Sequence, residues 1–155
     1  MKPLERALIP TMNPLKLVAL DEDDLRIVSA HVQDAVMKVG DLDYLPTRQL
    51  FVMPMNRFAW EKETGWLAGQ PERRNSVLHF NRVLAAKSSG FPADKPAEIV
   101  SLLALTFAKT DAPAGRIDLV FSGGGAIRLE VECIEARLAD LGGAWEAASR
   151  PAHKI

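Results

Sequence analysis

The groups in this sequence that could do chemistry are few, and their spacing limits what they could do together. The three histidines are His31, His79 and His153. No two share a helical turn or a metal-ligand spacing, and the single cysteine, Cys133, cannot complete a zinc set with them. Neither a metal site nor a cofactor is therefore expected. Asp21-Glu22-Asp23-Asp24 is the one acidic run. A calcium loop takes oxygen ligands from alternate positions and needs a glycine and a distant glutamate, a pattern absent here. These acids read instead as the start of a helix. Asp21 would cap the first N–H groups, and the following acids would oppose the positive end of the helix dipole. Gly123-Gly124-Gly125 would cradle a phosphate only if a helix opened directly after it. A strand pattern follows, so the run reads as a hairpin turn. A reactive Cys133 would need a cation, a histidine or a helix N-terminus beside it. Its parity with Leu129 and Val131 places it in the core instead.

One constellation remains as a candidate binding site. Asn56, Phe58 and Trp60 share one face of an extended run, and His79 and Asn81 share one face of another. If residue 58 lies across from 79, then 56 lies across from 81, and the five side chains form one patch. A slip of one residue would set Arg57 beside His79 instead. Two amides and an imidazole among apolar strands require partners, and pairing with each other is the competing reading. Arg73, Arg74 and Arg82 with Phe58, Trp60 and Phe80 are the basic–aromatic grouping of the chain. The net charge of −1 argues against nucleic acid as the partner. No nucleophile elbow, Walker loop or dinucleotide fingerprint occurs.

Hydrophobic spacing supplies the elements that would hold these residues. Leu15–Leu20 alternates as a short strand. Leu25, Val28, Val32 and Ala35 recur at helical spacing and predict an amphipathic helix over 22–35. Extended runs follow over 36–39, 42–45, 49–60, 76–87 and 99–109, the last the best candidate for a central strand. Pro54 in the 49–60 run points to an edge strand or a bulge. Gly115–Phe121 and Ala126–Glu132 form the clearest hairpin, with Arg128, Glu130 and Glu132 on its wet face. Beyond it two readings stand: a short C-terminal helix from Ile134 with Gly142 just past its end, or a strand across 136–141. Strands joined by short links predict an α+β fold, a mostly antiparallel curved sheet or half-barrel closed by one helix. Residues 1–14 read as a flexible arm, 15–145 as a single domain and 146–155 as a flexible tail.

The composition fits that class. The chain has 155 residues, 48% apolar and 25% charged, with 19 basic against 20 acidic side chains. A chain of this length buries roughly 68–70% of its unfolded surface, enough for a core of its own. One cysteine excludes an internal disulfide and suits a reducing compartment. No apolar stretch approaches the roughly 20 residues of a membrane span, so a cytoplasmic protein without membrane contact is expected.

Two segments carry a resemblance. They are "LKLVALDEDDLRIVSAHVQDAVMKVGDLDYLP" followed by "NRFAWE", and "GGGAIRLEVECIEARLADLGGAW". They resemble a small family of bacterial proteins known only as a domain of unknown function. The resemblance runs from Leu15 to Trp145. It implies a complete single-domain cytoplasmic bacterial protein and carries over no catalytic residue.

The expected function is a non-enzymatic accessory or protein-binding module. An apolar strand surface of Phe51, Met53, Met55, Phe58, Trp60 and Trp66 would meet a protein partner or a second copy in a homodimer. The alternative is a small-molecule-binding protein or enzyme with a pocket between sheet and helix.

Overall fold

A period of two in burial runs through most of the chain and builds one sheet. The computed structural model describes residues 14–59 and 73–141. Strand β1 (Lys16–Ala19) leads into helix α1 (Glu22–Val32), followed by β2 (Val36–Lys38), β3 (Asp43–Leu45) and β4 (Leu50–Phe58). Then come β5 (Arg73–Phe80), β6 (Val83–Ser89), β7 (Ile99–Lys109), β8 (Gly115–Phe121), β9 (Ala126–Val131) and β10 (Ala136–Asp140). Their order is β1-β10-β5-β4-β2-β7-β8-β9-β6, with β3 added beside β4. Every pairing is antiparallel. The expected α+β class, a curved antiparallel sheet with one helix near the N-terminus, is the fold observed.

The helix forms where its acids are. Asp21 Oδ1 accepts from the Asp24 N–H at 2.8 Å, and Asp24 Oδ2 accepts from the Leu20 N–H at 3.1 Å. The first bond satisfies a donor left over in the first helical turn, and the second ties the residue before the N-cap to that turn. The helix stops at Val32, three residues short of the expected end, because Asp34 takes a left-handed φ of 64°. The chain then turns, and Ala35 reaches the core from the turn. Leu25, Val28 and Val32 pack with Met53, Leu102 and Leu129 in a single core on the inner face of the sheet. Ser29 Oγ accepts from the Leu105 N–H at 3.1 Å, tying the helix to β7 beside its register shift at Leu102/Ala104.

Two expectations are corrected, and one reading left open is decided. The segment 76–87 is not one strand. It breaks at Asn81–Arg82, where Arg82 holds a φ of 63°, and β6 leaves for the opposite end of the sheet order. The link between β9 and β10 receives this corner: the Asn81 N–H donates to Glu135 O at 2.8 Å, and Arg82 O accepts from the Glu132 N–H at 3.0 Å. No glycine or proline marks the corner. Tyr44 Oη donates to Val83 O, and the Val83 N–H donates to Gln49 O, both at 2.9 Å, so the start of β6 curls round to meet β3 and β4. Second, residues 136–140 are strand β10, not a helix. Ala136, Leu138 and Asp140 point inward while Arg137 and Ala139 point out, the alternation that a strand between β1 and β5 requires. Third, Pro54 lies in an interior strand. On one side of β4, β3 pairs Leu50–Val52 and β2 pairs only Asn56, so Pro54 falls in the gap between them.

Two smaller readings also change. Cys133 is half-buried in the link after β9, with no helix opening beside it. Phe51, Met53 and Met55 are core, so they offer no surface to a partner or a second copy. The proposed arm except Pro14, Trp60, Trp66, Gly142, His153 and the tail 146–155 lie outside the described residues. Among the described residues no helix is long and apolar enough to cross a membrane.

The hairpin depends on a close approach. A Cβ on Gly115 would sit 2.3 Å from the Phe107 ring and 2.7 Å from Ala108 O. Gly115→Ala is expected to cost about 1–3 kcal/mol through overpacking, read by urea denaturation. Unchanged stability would show that the ring does not rest on this glycine.

Candidate functional site

The pairing of β4 with β5 sets Met55 opposite Ser76, Asn56 opposite Asn75, Arg57 opposite Arg74 and Phe58 opposite Arg73. Alternation then sends these residues to two faces.

Inward lies a closed polar cluster. Arg57 and Arg74 stand directly across from each other, and like charges so placed repel. The carboxylate of Asp140, on neighbouring β10, accepts from both. Arg57 Nε reaches Oδ1 at 2.9 Å, Arg57 Nη2 reaches Oδ2 at 2.9 Å, and Arg74 Nη1 reaches Oδ2 at 3.4 Å. Ser76 Oγ donates to Oδ1 at 2.6 Å, and the Leu15 N–H donates to Oδ2 at 2.9 Å. Arg57 Nη1 donates to Phe58 O at 3.0 Å. Arg57, Ser76 and Asp140 are buried. Burial pushes the Asp140 carboxyl up. Hydrogen bonds from Arg57, Ser76 and the Leu15 N–H, together with the Arg57 charge, outweigh burial and hold it below the ordinary carboxylate value.

Outward lies an open polar cluster. Asn56 Nδ2 donates to Asn75 Oδ1 at 3.2 Å across the strands. The Arg73 guanidinium lies over the Phe58 ring with Cζ 4.1 Å from its centre. Arg73 Nε donates to Asn56 Oδ1, and Arg73 Nη2 donates to Asn56 O at 3.3 Å. Beside this ladder the gap at Pro54 opens a hollow of about 350 Å³. Asn56, Asn75 and Pro54 line it with Val36 and Lys38 of β2, and the inward-facing Met55 and Ser76 reach it too, as do Ile99 of β7 and Asp41.

The five residues expected to form one patch are not assembled. Asn56 and Phe58 do share a face and a site. His79 shares that face but stands opposite Val52, six places along from Phe58 or about 20 Å at strand rise. Asn81 lies past the end of β5, in the corner, and Trp60 lies outside the described residues. Neither the 58–79 register nor its one-residue slip occurs, because β5 begins at Arg73 and ends at Phe80. Partial burial and, secondarily, the Arg137 charge lower the His79 pKa, with Glu135 opposing them.

The basic–aromatic grouping is dispersed. Arg74 turns to Asp140, Arg73 covers Phe58, Arg82 pairs with Glu135 at 3.2 Å, and Phe80 is core. The inner face of α1 packs in the core. Among the described residues no three His, Cys, Asp or Glu side chains lie close enough to hold a metal ion. Sequence reasoning missed Asp140, Ser76 and Asn75. The available signal was one acid, Asp140, at the same parity as Ala136 and Leu138 in a segment readable as a strand.

Residues 15–153 match the protein family described as Protein of unknown function (DUF2948). No curated protein matches the chain.

Asp140→Asn leaves the Arg57 guanidinium buried without its counter-charge and should cost about 3–5 kcal/mol at neutral pH. Adding Arg57→Met should recover part of that loss, read by chemical denaturation. Equal losses in the single and double variants would show that Asp140 is not the counter-charge. Because the folded carboxyl titrates below its unfolded value of about 4, its contribution is complete above that pH and fades as the pH falls through the folded value. The Asn variant should therefore show a flatter acid limb.

Proposed function

The chain belongs to this family of unknown function, and we propose that it is a non-enzymatic binding module that seats its ligand at the open hollow beside the Asn56–Asn75 pair. One contrast carries the reading. The buried acid, hydroxyl and guanidinium groups of Asp140, Ser76 and Arg57 bond to one another. The outer face offers amides, a braced guanidinium and a hollow of about 350 Å³. Amides and guanidinium groups recognise by hydrogen bonding and are poor nucleophiles and poor acid–base catalysts near neutral pH. Concave sites with a few convergent polar groups on an apolar wall are typical of ligand recognition, and Val36, Pro54 and Ile99 supply that wall. A small-molecule ligand would take this same hollow.

A thermal-shift screen of metabolites and short peptides tests this reading. A ligand that binds only the folded state raises the melting temperature. A hit should shift wild type, fail to shift Asn75→Ala and Val36→Arg, and be recovered chemically unchanged after long incubation. Recovery of a converted product, or shifts that persist in both variants, overturns it.

A further inference from the structure

The guanidinium of Arg73 is exposed, yet its position is set in advance. Phe58 supports one of its planar faces at 4.1 Å, and two groups of Asn56 hold its Nε–Nη2 edge. The remaining edge, Nη1 with the second N–H of Nη2, faces no acceptor among the described residues. No carboxylate among the described residues pairs with Arg73 or with Lys38. A guanidinium fork matches two oxygens of one carboxylate or phosphate group, and bracing removes part of the ordering cost of binding.

We propose that this site binds an oxyanion, a carboxylate or phosphate group on a small ligand, through the outward fork of Arg73, which is bonded to Asn56 of the hollow's lining. The proposal rests on the binding-module reading and names the ligand chemistry. Arg73 takes two oxygens of the anion. The body of the ligand lies along Asn56 and Asn75 toward Val36, Pro54 and Ile99, where Lys38 supplies a second positive group. Ligand selection is thus for an oxyanion on a partly apolar body. Arg73 covers one face of the Phe58 ring, so a nucleobase cannot stack on that face.

The test is a titration of the whole chain with inorganic phosphate and, separately, with butyrate at constant ionic strength. It is followed by nitrogen-15 NMR of the Arg73 Nε–H and the Asn56 and Asn75 side-chain amides. Saturable shifts at these signals with at least one probe are expected, and which probe binds distinguishes the phosphate from the carboxylate source. Arg73→Gln should weaken that binding about ten- to a hundredfold, as loss of charge-assisted hydrogen bonds implies. Arg73→Lys keeps the charge without the fork and should fall between. Arg128→Gln, which disrupts a guanidinium bonded to Asp118 at 2.8 Å elsewhere on the sheet, should leave the affinity unchanged. No saturable shift with either probe, or equal affinity in Arg73→Gln, overturns the oxyanion assignment. If neither probe binds but an uncharged hit from the screen shifts the Asn56 and Asn75 signals, the assignment falls and the module reading stands. If nothing perturbs these signals, both fall.

Discussion

The Asp140 carboxylate between two opposing arginines is the contact on which the rest of this structure depends. Antiparallel pairing puts Arg57 and Arg74 face to face, an arrangement that repels on its own. One carboxylate from the next strand accepts from both and from Ser76 and the Leu15 N–H as well. Four segments of the chain thus converge on two oxygen atoms: the start of β1, β4, β5 and β10. Such a cluster is costly to dehydrate, and its value lies in the geometry it enforces more than in net stability. A shift of one residue in either neighbouring strand would turn Arg57 or Asp140 out of the core and strand its partner inside.

That inner constraint positions the outer face. Asn56 sits between Met55 and Arg57, and Asn75 sits between Arg74 and Ser76, so their outward direction follows from the inward anchoring of their neighbours. The amide pair and Arg73 then align across the strands. The hollow beside them has a separate origin. Strands β3 and β2 both border β4 on one side but leave Met53–Met55 unpaired there, and the proline occupies the interruption. A rigid ladder beside an interrupted edge is a common way to combine precise polar groups with room for a ligand.

The curl of the sheet separates this face from the core. The corner at Asn81–Arg82 carries β6 to the far end of the strand order, while contacts through Tyr44 and Gln49 bring its first residue back to β3 and β4. The inner face of α1 packs into the core. The guanidinium of Arg73 is braced on the outward face by Phe58 and Asn56.

Local pattern was enough to determine the class, the capped helix at Asp21, the hairpin through Gly123–Gly125, the central strand over 99–109 and which side chains share a face of each strand. These follow from neighbours within a few residues, through capping, turn preference and alternation. It also placed Asn56 and Phe58 together. What it did not determine was which strand lies beside which, and in what register. His79 and Phe58 have the right parity for one patch and stand six residues apart along it, because parity repeats every two residues and is blind to such shifts. The break at Arg82 carries no glycine or proline because tertiary hydrogen bonds from the β9–β10 link hold its left-handed backbone. Strand β10 was equally readable as a helix until its place between β1 and β5 selected the extended form. Asp140 could acquire its meaning only there, since Arg57 lies 83 residues away in sequence and 2.9 Å away in space.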